Sequence, residues 1–164
     1  MSETQILEWD AEKALLGGKV QGLVAHCYEN ERPLQGLAGL LDWRFEGLLT
    51  RGIRAGYITG QPGECVYLPV SRMGRTFHLL VVGGGVCPAP GKRTIPPALS
   101  LDALRRNLVS LRIKDFAFSR AELGLTRAAA IPGSAGAADI EASFAEARTF
   151  LAKQMKGIPL WVVP

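Results

Sequence analysis

The sequence is poor in the residues that carry most enzyme chemistry. It has two histidines, His26 and His78, each inside an apolar run, with no partner at i+4 and no cysteine near them except Cys27. Zinc sites need spaced His/Cys sets, so both read as structural histidines and no metal is expected. The three cysteines, Cys27, Cys65 and Cys87, are odd in number and form no CxxC pair, which excludes a disulfide framework and a dithiol redox motif. Cys27 and Cys65 lie in strand-like stretches, as small buried hydrophobes do. Cys87 falls in a loop and is expected to be exposed yet inert, with no neighbour to lower its pKa. None of the serines sits in a G-x-S-x-G elbow. No apolar run approaches the roughly 18 residues of a membrane helix. The acidic start, MSETQILEWD, has neither the basic end nor the apolar centre of a signal peptide. The expected compartment is therefore the cytoplasm, with no membrane partner.

Complete nucleotide loops are missing too. A dinucleotide fingerprint needs G-x-G-x-x-G, and Gly83 and Gly85 supply its first half, but Pro88 stands at the third glycine. A Walker loop needs G-x-x-x-x-G-K-[ST]. Gly91-Lys92 supplies its end, but Val86 replaces the first glycine, and Arg93 replaces the hydroxyl residue, with Thr94 one place late. Pro88 and Pro90 remove two of the N–H groups that would cradle phosphate. No cofactor is expected. Asp42 and Glu46 could pair for acid–base work, but they fall on the polar side of a helical pattern, where a solvated face is the ordinary explanation.

What is present is an ordinary globular composition. The 164 residues are 48% hydrophobic and 21% charged, enough for one domain over 1–164 with a real core. The formal charge of +4 is unevenly spread, because residues 61–120 hold nine bases against three acids while the first sixty are net acidic. A basic segment of that kind suits an anionic partner, nucleotide or nucleic acid; a solvated surface is the plainer reading.

The pattern is organised around Thr76 to Gly85, TFHLLVVGGG, an apolar run that stops in three glycines. It reads as a central strand buried on both faces, and ligands of open α/β sheets bind beyond the carboxyl ends of such strands. Before it come a short edge strand at Ile6–Trp9, a firm strand at Val20–Tyr28 and a polar loop through Glu29–Pro33. One helix over Gly36–Arg54 follows, its stripe made by Leu37, Leu40, Leu41, Phe45 and Leu48. Asp42 and Glu46, on its other side, are spaced to approach Arg51 or Arg54. Glu64–Val70 forms a strand and pairs with the Thr76 run through a turn at Met73-Gly74. Cys87–Pro97, with four prolines in eleven residues, is a loop. Ser100 then caps a helix with Asp102 in its first turn and a stripe of Leu101, Leu104, Leu108 and Leu111. Strands follow at Lys114–Ser119 and Arg127–Ile131. A helix over Asp139–Lys153, with Ile140, Phe144, Ala147 and Leu151 on one face, ends at Gly157. Ile158–Val163 closes the chain as a strand, at an edge because of Pro159. Alternating strands and helices imply a three-layer α/β/α sandwich with a mixed central sheet.

The runs Arg32-Pro-Leu-Gln-Gly-Leu-Ala-Gly-Leu-Leu-Asp42, Gly60-x-x-Gly63-Glu64 and Leu79-Leu-Val-Val-Gly83-Gly-Gly85 resemble the N-terminal domain of the M17 leucyl aminopeptidases. The resemblance covers roughly residues 20–119 and implies a macrodomain-like fold. It brings no catalytic residue, because in that family the two-metal site lies in a separate C-terminal domain. It implies roles in oligomer packing and, in some bacterial members, in contacting DNA. Macrodomains proper bind ADP-ribose through glycine-rich loops at the same sheet edge. The first expectation is thus a non-catalytic domain working by protein binding or self-association, with an enzyme in its own right less favoured. The second is a nucleotide or ADP-ribose-type anion binder using Gly83, Gly84 and Gly85 with Lys92 and Arg93. A nucleic-acid module using Arg105, Arg106, Arg112 and Lys114 ranks third. Within the glycine turn, a tight structural exit is the first reading and a binding site the second.

Overall fold

The computed structural model describes residues 5–6, 11–113, 115–124, 137–155, 158 and 161–163. Six strands form one sheet in the order β1-β6-β5-β2-β4-β3: β1 (Gln5–Ile6), β2 (Gly22–Cys27), β3 (Cys65–Arg72), β4 (Arg75–Gly83), β5 (Phe116–Ser119) and β6 (Trp161–Val163). Every neighbouring pair is parallel except β3 with β4, so the sheet is mixed. Among the described residues, five α-helices cover it: α1 (Ala11–Leu16), α2 (Gly36–Arg44), α3 (Leu48–Arg54), α4 (Ala98–Leu111) and α5 (Ala137–Met155).

Strand periodicity divides the core into two layers. Leu23, Ala25 and Cys27 of β2, with Leu79 and Val81 of β4, pack against α1, α2 and α3 through Leu15, Leu37, Leu41 and Leu49. Val24, Leu80 and Val82 point the other way, onto Leu101, Leu104 and Leu108 of α4 and Ala147 and Leu151 of α5. A strand covered on both faces must be apolar throughout, and this is why the Thr76 run shows no alternation. The expected three-layer α/β/α sandwich with a mixed sheet is the observed architecture.

The differences lie mostly at boundaries and breaks. The helix expected over Gly36–Arg54 is two helices. Glu46 and Gly47 adopt left-handed φ of 55° and 77°, and Asp42 turns its carboxylate onto Thr50, accepting from its N–H at 2.9 Å and its hydroxyl at 2.6 Å. Asp42 therefore does not pair with Arg51 or Arg54, and Glu46 pairs with Arg72 at 3.0 Å. Ser100 is not an N-cap, since α4 begins at Ala98 after Pro97; the hydroxyl is buried inside the first turn and Asp102 lies beyond it. The β6 strand is interior, between β1 and β5, because β1 supplies the edge beyond it. Helix α1 follows β1, an element the sequence pattern did not show. The strand expected at Arg127–Ile131 and the cap at Gly157 lie outside the described residues, as do Trp9 of the first strand and the side chains of Ile140 and Phe144. Among the described residues no helix is long and apolar enough to cross a membrane.

Candidate functional site

Strands β2 and β4 are neighbours, yet their chains leave for opposite faces of the sheet. β2 runs on to α2 and β4 to α4. The crevice beyond their carboxyl ends is the topological switch point, where open α/β sheets hold ligands. Two loops wall it, residues 28–35 after β2 and 84–97 after β4. Asn30 latches them together: its Nδ2 donates to the Cys87 carbonyl at 3.1 Å and its Oδ1 accepts the Cys87 N–H at 2.7 Å. Beside the latch lies a cavity of about 330 Å³ lined by Asn30 to Pro33, Gln35 and Cys87 to Pro90.

The floor of the crevice is filled by the chain itself. Arg93, whose side chain is 8% exposed, reaches inward from the proline-rich loop. Its Nη1 donates to Glu31 at 2.8 Å, its Nε lies 3.3 Å from Glu122, and its guanidinium stacks over the Tyr28 ring at 5.1 Å. The buried Glu122 carboxylate also accepts the Leu37 N–H at the start of α2 and the His26 N–H of β2, both at 3.1 Å. A helix N-terminus favours an anion, and here a side chain supplies it. Burial raises the Glu122 carboxyl above its ordinary value, while Arg93 and the two amides pull it back. His26 is wholly buried, and among the described residues neither ring nitrogen has a hydrogen-bond partner. Burial, helped by the Arg93 charge, lowers its pKa to about 3, so the ring is neutral.

The glycine turn is satisfied internally. The N–H groups of Gly83, Gly84 and Gly85 donate to the carbonyls of Glu64, Cys27 and Gly60, at 3.0, 2.8 and 2.8 Å. The Ser100 hydroxyl donates to the Gly83 carbonyl at 2.6 Å and accepts the Gly63 N–H at 2.9 Å, which ties the first turn of α4 to the strand exit. A Cβ on Gly84 would sit 2.6 Å from the Tyr28 ring, and one on Gly83 would collide with the Gln61 carbonyl. Of the candidate ligand residues, Gly83, Gly84, Gly85 and Arg93 thus meet at one end of the sheet, with Arg93 engaged by two glutamates, whereas Lys92 stays on the surface.

The cysteines and remaining candidates fall into place around this frame. Cys87 is buried, not exposed as expected, because its thiol faces the carbonyls of Ala89 at 2.8 Å and Lys92 at 3.4 Å. Burial pushes the Cys27 thiol up, and the Cys65 thiol up to about 12. The His78 ring hydrogen-bonds Tyr67 at 2.6 Å. Among the described residues, no three His, Cys, Asp or Glu side chains converge as a metal set. Arg106 and Arg112 are exposed and Arg105 half-buried, while Lys114 lies outside the described residues.

A second feature was not singled out in the sequence. Trp43 is 70% exposed on the outer side of α2 and stands between two grooves. One, of about 460 Å³, is lined by Leu16, Phe45, Phe77 and Met73, the last 94% exposed. The other, of about 680 Å³, is lined by Arg32, Pro33, Leu34, Ile53 and Arg54. The available signal was that Trp43 interrupts the polar side of the α2 pattern, beside Asp42 and Glu46.

Sheet order, the two helical layers and the switch point together define a macrodomain-like α/β fold. The macrodomain of Mycobacterium tuberculosis DarG superposes with a TM-score of 0.56 at 16% identity, over 98% of both chains. Thermosipho africanus DarTG, a structure in complex with ADP-ribose, gives 0.63 at 12% identity, over 100% of this chain and 42% of that one. A tomato leucine aminopeptidase gives 0.57 at 16% identity, over 99% of this chain and 32% of the enzyme. At such identities the likeness is one of fold. No family model matches the chain, and no curated protein matches it.

Proposed function

We propose that the chain is a non-catalytic, macrodomain-like binding domain that works through protein contacts, by engaging a partner or by assembling with itself. The observation that carries this reading is the exposed Trp43 between its two grooves, with Met73 and Leu16 beside it. Exposed apolar surface of this kind, rimmed by charge, is typical of protein interaction sites, where tryptophan and arginine dominate the binding energy. Light scattering from micromolar to millimolar concentration tests the self-assembly arm. On that arm the molar mass rises with concentration and stays monomeric in Trp43→Ala; a strict monomer throughout removes that arm and leaves the partner arm.

A second reading, an ADP-ribose-type anion binder, is favoured by a specific pair of observations. The fold resembles that of DarTG, solved with ADP-ribose, and a cavity opens at the switch point beside the Asn30–Cys87 latch. A ligand there would meet Arg32 at the rim, and would have to release Arg93 from Glu31 and Glu122 to reach the floor. Calorimetric titration with ADP-ribose tests it, and absence of both heat and thermal shift at millimolar ligand removes it.

A further inference from the structure

We propose that the grooves beside Trp43 take an acidic, apolar segment of a partner protein: a stretch in which carboxylates alternate with leucine- or phenylalanine-type anchors. This rests on the reading of the chain as a protein-binding module and adds the chemistry of the partner.

Charge selects the occupant. Arg44 and Arg72 line the smaller groove and Arg32 and Arg54 the larger, with Arg51 on the Glu46 carbonyl and Arg75 on Leu16 and Phe77 nearby, all on exposed positions, although the first sixty residues taken together are net acidic. Among the described residues, three carboxylates share this surface. Glu12 pairs with Arg44 and Glu46 with Arg72, and Asp42 has both oxygens on Thr50. Arg32 donates to the backbone carbonyls of Tyr28 and Glu31, and Arg51 to that of Glu46, so among the described residues neither charge is paired with a carboxylate. Arg54 makes no ion pair among the described residues. Arg32 and Arg54 line the larger groove, and Arg51 is one helical turn from Arg54. A carboxylate entering there meets uncompensated guanidinium groups of the kind that bind it in two-pronged fashion.

The apolar half of the partner follows from Met73. It occupies a left-handed position, φ 53°, in the two-residue turn Met73-Gly74. Such turns favour asparagine or aspartate before glycine, and nothing in the hairpin needs a methionine at that place. Its side chain instead extends the apolar wall that Trp43 and Leu16 begin, and methionine adapts readily to varied apolar partners.

Two other occupants fit less well. A second copy meeting this face about a two-fold axis would set like-charged arginine surfaces against each other. Extension of the sheet at β3 is hindered by Pro69. His78 donates its N–H to Gln21 at 3.0 Å, so at the Pro69–His78 pair the backbone groups point away from each other, and the missing proline N–H falls on the outer edge.

The test is fluorescence anisotropy with a labelled synthetic peptide of alternating acidic and Leu/Phe residues. Two sister peptides carry lysine for every acid or serine for every apolar residue. The acidic apolar peptide is expected to bind at least roughly tenfold more tightly than either sister, and less tightly as salt rises. Trp43→Ala and the pair Arg51→Glu with Arg54→Glu should each weaken it by about tenfold while melting like the parent chain. Equal binding of a sister peptide overturns the proposal. So does Trp43-dependent binding of single-stranded DNA without peptide binding. A Trp43-dependent dimer that binds no peptide assigns the face to a second copy, which overturns the acidic segment and leaves the protein-binding reading standing. Neither association nor peptide binding removes both.

Discussion

A neutral histidine, buried with no hydrogen-bond partner among the described residues, makes stability depend on pH. His26 has its pKa lowered from 6.5 to about 3 by burial and by the nearby Arg93 charge. The folded value lies below the unfolded one, so protonation favours the unfolded chain. The contribution is whole above about 6.5 and is lost as pH falls towards 3. In urea unfolding, His26 alone is expected to contribute roughly 2 kcal/mol less stability at about pH 5 than at about pH 7.5. His78, also lowered by burial, acts in the same direction and Glu122, raised by burial, in the opposite one, so comparing the parent chain with His26→Leu isolates the His26 part of the slope. An unchanged slope would exclude His26 as its source. Arg93 poses the converse case. Arg93→Ala leaves Glu31 and Glu122 buried side by side without their cation, and chemical denaturation should show a loss of about 3–5 kcal/mol. A triple replacement of Arg93, Glu31 and Glu122 by apolar residues of similar volume should cost much less, because no charge is then stranded.

At the scale of elements, the packing of the strand exit and the shape of the hairpin can be separated by mutation. Ser100→Ala removes the group that satisfies both the Gly83 carbonyl and the Gly63 N–H, and should cost about 1–3 kcal/mol. Met73→Asn should do the opposite and stabilise the hairpin by roughly 0.5 kcal/mol, since asparagine suits the left-handed position. The same change should weaken whatever docks beside Trp43, and a variant both more stable and equally competent in binding would show that Met73 is not part of the surface.

The elements themselves were legible to different degrees. The β3–β4 hairpin and α4 follow from local signals, a turn residue pair and an unbroken leucine stripe. The break between α2 and α3 was not legible, because Phe45, Leu48 and Leu49 keep the apolar stripe going through it. What breaks the helix is Asp42 reaching Thr50 across a left-handed Glu46-Gly47, and periodicity is blind to that. The candidate site was legible only where it is local. The glycine turn stands out in the chain, but Glu31 and Arg93 come from two loops and Glu122 from the 3-10 turn Ala121–Leu123, and no spacing rule joins them. Trp43 was missed as well, although an aromatic residue on the polar side of its helix is a signal that could have found it.

At the scale of the whole molecule, one architecture serves both the DarG macrodomain and a region of a leucine aminopeptidase, so the fold does not choose between a nucleotide and a protein. The difference rests on whether the switch-point crevice opens. As it stands, Glu122 holds the helix terminus that an anion would seek, and Arg93 is held by Glu31 and Glu122. A ligand that needs Arg93 released binds only the fraction of molecules in which it is free, and its apparent affinity falls by that fraction. Glu31→Gln weakens the hold without emptying the space. On the ADP-ribose reading, this variant should therefore bind ADP-ribose more tightly than the parent chain and melt further above its own unliganded temperature. Saturation to a hundredfold over Kd would add about 2.7 kcal/mol to stability, readily seen as a thermal shift. Equal and measurable affinity in both chains would place the ligand outside the ion-paired floor, in the cavity beside the Asn30–Cys87 latch. Silence in both would leave the crevice as a structural ion cluster and the exposed face around Trp43 as the surface through which the domain works.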